Sequence, residues 1–258
     1  MIDDHKSIPI PYGDQTINFT LPGVNLLSVI SPKDLPDIPE PVQELERAYR
    51  NPIGAPPLAQ AVQGANEVVI LADDMTRATP VQLIIPLLLN ELNAAGISDD
   101  QVAVIIALGT HRPMTEEEIH TRFGGALVKR VPVLNNPWQE PNQMVDIGIT
   151  QNGTPVEISK LALEADFLVG LGGIVPHHIL GFSGGAKIVQ PGVTGAATTG
   201  GTHLLSTRTR RSYLGVVENL VRAEVETIAE QVGLDAIFNV VLDKQGQLVQ
   251  AFYGEPRL

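Results

Sequence analysis

The chain has 258 residues and a formal net charge of −12, from 17 Lys and Arg against 29 Asp and Glu. A chain of this length can bury a sizeable core, and its negative field repels phosphate backbones and anionic lipid, which excludes nucleic acid and membrane surfaces as partners. It contains no cysteine, so disulfides, thiolate metal sites, iron–sulfur clusters and cysteine nucleophiles are excluded too. A small-molecule ligand is favoured.

The N-terminus is polar and acidic, whereas a secretory signal peptide needs a basic start and an apolar run. The longest apolar runs, such as 102–108, are strand-sized and far short of the roughly 20 residues of a membrane helix. We therefore expect a cytoplasmic protein. Residues 1–60 are rich in proline and predict an N-terminal arm packed on the core, and residues 61–258 predict one α/β domain.

Two strand–helix units follow each other at the start of this domain. The apolar run 67–73 predicts a buried strand, and a polar turn separates it from a predicted helix at 81–95. The run 101–109 predicts the next strand, and Thr115 with Glu118 forms a T-x-x-E capping box that opens a second helix.

The next segment, 128–158, has short alternating runs, and Asn152-Gly153 predicts a two-residue hairpin turn. A third buried strand is predicted at 166–173. A Gly/Thr-rich stretch, a long helix from Tyr213 to Val232 and a terminal strand pair complete the chain.

Strands that alternate with helices predict an α/β fold: a Rossmann-like, doubly wound, mostly parallel sheet with a β-hairpin insertion. Ligands of such sheets bind beyond the carboxyl ends of the strands. The polar residues that follow the three predicted strands are therefore expected to converge: Asp73, Asp74, Thr76, Arg77, His111, Arg112, His177, His178 and Lys187.

The segment GGIVPHHILGFSGGAKIVQPGV (172–193) combines a glycine-rich turn, two histidines and one lysine. Neighbouring His177 and His178 are expected to point in different directions, so that one acts and the other packs. The turn does not match a Walker phosphate loop, because Ala186 separates the second glycine from Lys187 and no hydroxyl follows. Backbone N–H groups of 183–185 can still cradle an anion, and Lys187 is expected to be partly buried with a lowered pKa.

With these residues in hand, the chain resembles the nickel-pincer-nucleotide-dependent lactate racemase family over nearly its whole length. Several short motifs in one order are far more specific than any single motif. The matching segments are NPIG (51–54), DDMTRATP (73–80), GTHRP (109–113), HHILGFSGGAKIVQPGV (177–193), His203, ENLVRAEVE (218–226) and NVVLD (239–243).

The resemblance implies a racemase or epimerase of a 2-hydroxy acid such as lactate, which works by proton-coupled hydride transfer. It implies a nickel-pincer nucleotide (pyridinium-3,5-bisthiocarboxylic acid mononucleotide nickel) and enzymes that assemble it. The roles it implies are Lys187 as the tether, His203 as the nickel ligand, His111 and His177 as the acid/base pair, Arg77 for the substrate carboxylate, and Asp74, Thr76, Ser183, Gly184 and Gly185 for the nucleotide.

Members of this family continue past the NVVLD strand pair into a second α/β domain. We therefore expect this chain to be the cofactor-holding N-terminal domain without the family's C-terminal domain, and to have little activity alone because a closing domain excludes water. Two alternatives from other classes remain at this point. One is a non-catalytic module that binds a nucleotide or anion, and the other is a metal hydrolase built on His111, His177, His203 and Asp74.

Overall fold

The computed structural model describes residues 4–13, 15–31, 33, 40–209 and 211–257. The chain divides into two units, Met1–Pro36 and Asp37–Leu258. In the first unit, β1 (His5–Tyr12) pairs antiparallel with β2 (Gln15–Pro22) to form a hairpin. The predicted arm at 1–60 thus divides between the two units.

The second unit alternates strands with helices, as predicted. Its helices are α1 (Pro41–Arg50), α2 (Leu58–Ala61), α3 (Val81–Ala94), α4 (Glu116–Phe123), α5 (Gly125–Arg130), α6 (Lys160–Leu163), α7 (Ala196–Ser206) and α8 (Leu220–Val232). Its strands are β3 (Val68–Asp73), β4 (Val102–Ala107), β5 (Val133–Asn135), β6 (Met144–Ile149), β7 (Pro155–Ser159), β8 (Phe167–Gly173), β9 (Pro176–His177), β10 (Gly181–Phe182), β11 (Ala236–Leu242) and β12 (Leu248–Gly254).

A six-stranded sheet in the order β12-β11-β8-β3-β4-β5 forms the centre of this unit. The pairs from β11 to β5 are parallel, and β12 is antiparallel to β11. Successive residues of a strand point to opposite faces, so Val68 and Ile70 pack into one apolar layer while Val69 packs into the other. Both faces are therefore covered, which confirms the doubly wound α/β fold.

The connections reverse direction beside β3. The chain runs from β3 outward to β4 and β5, and then returns to β8 on the other side of β3. Such a reversal opens a crevice at the carboxyl ends of the strands, where ligands of doubly wound sheets bind. The turns after β3, β4 and β8 meet at this crevice.

Three local predictions need correction. The last helix begins at Leu220 instead of Tyr213, because the Asn219 side chain caps it by accepting from the Arg222 N–H at 2.8 Å. The hairpin β6–β7 forms as predicted, but its loop runs from 150 to 154 and not over two residues. The Gly/Thr-rich stretch contains helix α7, which the sequence reading left without structure.

Candidate active site at the carboxyl ends of the strands

A cavity of about 210 Å³ lies beyond the carboxyl ends of β3, β4 and β8. An adjoining cavity of about 90 Å³ shares Asp73, Arg77 and Lys187 with it. The three turns meet here as predicted, but Thr76, Arg112 and His178 line neither cavity, and Arg112 pairs with Glu118 instead. The polar and titratable residues that line the larger cavity are Asp73, Asp74, Arg77, Thr110, His111, His177, Lys187, Gln190, Thr199, Thr202 and His203.

His111, in the turn after β4, is held by a carboxylate. Its Nδ1 lies 2.6 Å from Oδ2 of the buried Asp74. The other oxygen of Asp74 accepts from the backbone N–H of Thr76 at 3.0 Å and from its hydroxyl at 2.6 Å. Burial raises the pKa of Asp74, but the hydrogen bonds from Thr76 and His111 outweigh it and lower this pKa below its ordinary value.

Asp74 and Thr76, the predicted nucleotide contacts, are thus hydrogen-bonded to each other. Asp74 is also hydrogen-bonded to His111. Their assignment to the nucleotide stays a prediction. The backbone at His111 is fixed from another side, because Trp138 donates its indole N–H to the His111 carbonyl at 2.9 Å.

His177, on the short strand β9, lines the same cavity. Its Nδ1 accepts from the backbone N–H groups of Ile179 at 3.3 Å and Leu180 at 3.2 Å. Burial, followed by the positive charge of Lys187, lowers the pKa of His177 to about 4. The prediction that His177 and His178 point apart is wrong: their rings stack with centroids 5.0 Å apart, because the pair sits where a strand ends in a turn.

Lys187 stands at the junction of the two cavities, in a 3-10 helix at Gly185–Ile188. Burial and the charge of Arg77 lower the pKa of its amine, as predicted, although Asp73 and Asp74 oppose the change. Nζ makes no hydrogen bond or ion pair with any residue in the described part of the chain. An amine that is half-buried, unpaired and more easily deprotonated is suited to act as a nucleophile.

The glycine turn before Lys187 is less open to an anion than predicted. The Ser183 N–H is not available, because it donates to the Val175 carbonyl at 2.8 Å. Gly184 lines the smaller cavity with φ 80°, and a Cβ there would lie 3.0 Å from Nδ2 of Asn239. Gly185 lines neither cavity, and a Cβ there would lie 2.8 Å from the guanidinium of Arg222.

His203 reaches the cavity from α7. Its Nδ1 lies 2.7 Å from the Thr199 carbonyl oxygen, which can only accept, so Nδ1 carries the proton and Nε2 keeps its lone pair for a ligand. Residues 4–13, 15–31, 33, 40–209 and 211–257 contain no group of three or more His, Cys, Asp or Glu side chains that could hold a metal ion. The metal-hydrolase alternative therefore lacks its ligand set here.

The sequence reading missed several residues that support the site. Thr79 donates its hydroxyl to Asp73 at 2.6 Å, and burial raises the pKa of that carboxyl. The Thr199 hydroxyl is buried without a hydrogen-bond partner among the described residues. The guanidinium of Arg122, near Asp73 and Asp74, has two such nitrogens. Thr79 lies inside the DDMTRATP motif and Thr199 lies one helical turn before His203, so spacing could have indicated both.

A family model described as "Lactate racemase N-terminal domain" matches residues 12–215. The chain belongs to this family. It is 34% identical to a lactate racemase from Thermoanaerobacterium thermosaccharolyticum, over 96% of this chain and 59% of the relative. It is 32% identical to a lactate racemase from Lactiplantibacillus plantarum, over 83% of this chain and 50% of that relative. The chain thus spans little more than half the length of these relatives.

Two solved structures share the fold of this chain. The lactate racemase apoprotein from T. thermosaccharolyticum superposes with a TM-score of 0.82 at 32% identity, over 97% of this chain and 59% of that one. A protein from Thermotoga maritima shares the fold, with a TM-score of 0.61 at 22% identity over 76% of this chain and 52% of that one. No helix in the described ranges is long and apolar enough to cross a membrane.

Proposed function

We propose that this chain is the cofactor-holding part of a racemase that acts on a small 2-hydroxy acid such as lactate. One observation carries the proposal: His111 and His177, from different strand ends, line the same cavity as Lys187, Arg77 and His203. Removing a hydride from C2 of a 2-hydroxy acid requires the hydroxyl to lose its proton, so the two enantiomers need one base each, and histidine suits this duty near neutral pH.

The residues present fit a nickel-pincer nucleotide. Lys187 offers a half-buried amine, without a partner among the described residues, for a covalent tether, and His203 offers Nε2 as one metal ligand. A single histidine suffices when the cofactor supplies the remaining donors, which agrees with the absence of a larger ligand cluster in the described ranges. Gly184 lines the smaller cavity, beside the tether. When bound, this group supplies reversible acceptance of the C2 hydride.

The other residues bind and orient the substrate. The guanidinium of Arg77 lines both cavities and makes no hydrogen bond with any described residue, so it is free to bind a carboxylate in a bidentate manner. In this proposal Nε2 of His111 takes the proton of the substrate hydroxyl. Residues 61–258 hold the cofactor in this proposal, and turnover also depends on the part of the relatives' length that this chain does not match. The protein would act in the cytoplasm with cofactor-assembling enzymes as partners.

The test is intact mass spectrometry of the chain co-expressed with the cofactor-assembling enzymes. We expect a covalent addition of nucleotide size on the parent chain and on Lys129→Met, whose lysine is exposed on α5. We expect none on Lys187→Met. An unmodified parent chain after successful maturation of a known racemase in the same cells would contradict the proposal. Racemisation of lactate by a cofactor-loaded racemase that contains this domain, followed by chiral chromatography, then tests the reaction itself.

A further inference from the structure

Two of the histidines that line the cavity, His111 and His177, are hydrogen-bonded through the same ring nitrogen to opposite kinds of partner. Nδ1 of His111 lies 2.6 Å from a carboxylate oxygen of Asp74. Nδ1 of His177 faces the backbone N–H groups of Ile179 and Leu180, at 3.3 and 3.2 Å. In both rings Nε2 is the nitrogen left for a ligand.

These partners determine where each neutral ring carries its proton. An ionised carboxylate only accepts, so Nδ1 of His111 must donate and its Nε2 keeps a lone pair. A backbone N–H only donates, so Nδ1 of His177 must accept and its Nε2 carries the proton. The ring hydrogens of His111 and His177 are thus assigned from their hydrogen-bond partners.

Hydrogen bonds from Thr76 keep Asp74 in its role as an acceptor. Its second oxygen receives both the N–H and the hydroxyl of Thr76, and the side chain is only 5% exposed. The hydrogen bonds to it lower the pKa of the carboxyl, so it stays ionised at neutral pH. His177 stays neutral there as well, since its pKa is about 4. His177 therefore does not gain a proton at Nδ1 at neutral pH.

We propose that Asp74 is a positioning residue that makes His111 the resting proton acceptor of the pair, whereas His177 rests as a hydrogen-bond donor through Nε2–H. The inference rests on the proposed function and deepens it. In the proton transfer to His111, the substrate O–H bond breaks, its electron pair stays on oxygen, and an N–H bond forms at Nε2. Asp74 then stabilises the imidazolium, while the Nε2–H of His177 can donate to a substrate oxygen.

The test is nitrogen-15 NMR of the histidine rings in the chain without cofactor at neutral pH, which distinguishes protonated from unprotonated ring nitrogens. We expect Nδ1–H in His111 and Nε2–H in His177. Resonances are assigned with His111→Gln and His177→Gln. The opposite form in His111, or the same form in both rings, would overturn the inference.

Asp74→Asn adds a readout that a purely structural role would not change. The amide oxygen must still accept from Thr76, so the amide NH₂ would face His111 and donate to Nδ1. We expect His111 to switch to Nε2–H while His177 is unchanged, and Asp100→Asn, at an exposed position, to leave both rings unchanged. An unswitched His111 in a folded Asp74→Asn protein contradicts the inference.

Asp74→Asn has a second readout, the activity of a racemase that contains this domain and carries the cofactor. A His111 ring without its Nε2 lone pair cannot accept the hydroxyl proton, so kcat is expected to fall by at least about 10²-fold. The NMR result does not depend on the cofactor. Wrong ring forms in an active racemase would therefore overturn this inference alone. A chain that never takes up the cofactor on Lys187 would overturn the proposed function, whatever ring forms the NMR shows.

Discussion

Replacing Lys187 by methionine is expected to raise the pKa of His177, because it removes a positive charge while keeping an apolar side chain of similar length. Burial is the larger cause of the low value of about 4, and the charge of Lys187 is the next, ahead of His178, Arg77 and His203. A neighbouring charge alters a pKa by roughly 1 to 3 pH units, with the lower end suited to a ring that is only half-buried. We therefore expect a rise of roughly one pH unit, which leaves the pKa below 6.5.

The same change affects stability in acid. A folded-state pKa of about 4 lies below the ordinary value of 6.5, so between these pH values the unfolded chain binds a proton that the folded chain does not. The stability linked to neutral His177 is present above pH 6.5 and is lost as the pH falls toward 4. One pH unit of difference corresponds to about 1.4 kcal/mol, reduced here by solvent screening. Lys187→Met narrows the gap between the folded and unfolded pKa values of His177. The stability of the fold should therefore fall less as the pH decreases.

The assay is a proton–carbon NMR titration of the histidine Cε1–H resonances from pH 3 to 8, with His177→Gln for assignment. Lys129→Met is the matched control, because it removes a lysine on α5 whose side chain lies at none of the cavity walls. An unchanged His177 pKa in Lys187→Met, or an equal rise in Lys129→Met, would refute the electrostatic reasoning. Urea unfolding at pH 5 and pH 7 measures the stability change independently.

Further predictions concern glycine and cap positions, each measured by urea unfolding at pH 7. Gly184→Ala is expected to destabilise the fold by about 1–3 kcal/mol, because φ 80° and ψ 180° suit only glycine and the new Cβ would lie 3.0 Å from Asn239; a neutral result would contradict this. Gly200→Ala, in α7 with nothing within 4 Å of its Cβ, should instead stabilise by about 0.5–1 kcal/mol. Asn219→Ala should cost about 1 kcal/mol through the lost cap of α8, and Asn219→Ser should recover most of it.

The strands and the location of the site could be predicted from sequence because their signals are local. Buried parallel strands appear as continuous apolar runs, and the polar residues that follow them must meet at one side of the sheet. Asp73, His111 and Lys187 were placed in this way, and all three line one cavity. The capping box of Thr115 and Glu118 at α4 formed for the same reason, since its partners lie three residues apart.

The missed features depend on contacts between distant residues. Helix α7 contains glycines and threonines of low helix propensity, and buried Thr198, Thr202 and Leu205 stabilise it by packing. The bond between Asp74 and His111 joins residues 37 positions apart, and no local pattern indicates it. The Ser183 N–H donates to the Val175 carbonyl across the β9–β10 turn, which no local pattern indicates. Local sequence patterns therefore indicate which residues line the cavity better than they indicate the hydrogen-bond partners of those residues.

The unequal setting of the two histidines is compatible with a reaction that runs equally well both ways. The enantiomers of a 2-hydroxy acid have equal free energies, so the equilibrium constant is one and kcat/KM must be the same in both directions. Different ring forms of His111 and His177 can make kcat and KM differ between enantiomers, but only in proportion. Asp74→Asn in a loaded racemase is accordingly expected to lower kcat/KM for both enantiomers by one common factor, although it alters only one ring. Unequal losses, measured by chiral chromatography from each pure enantiomer, would show that the assay follows a reaction other than racemisation.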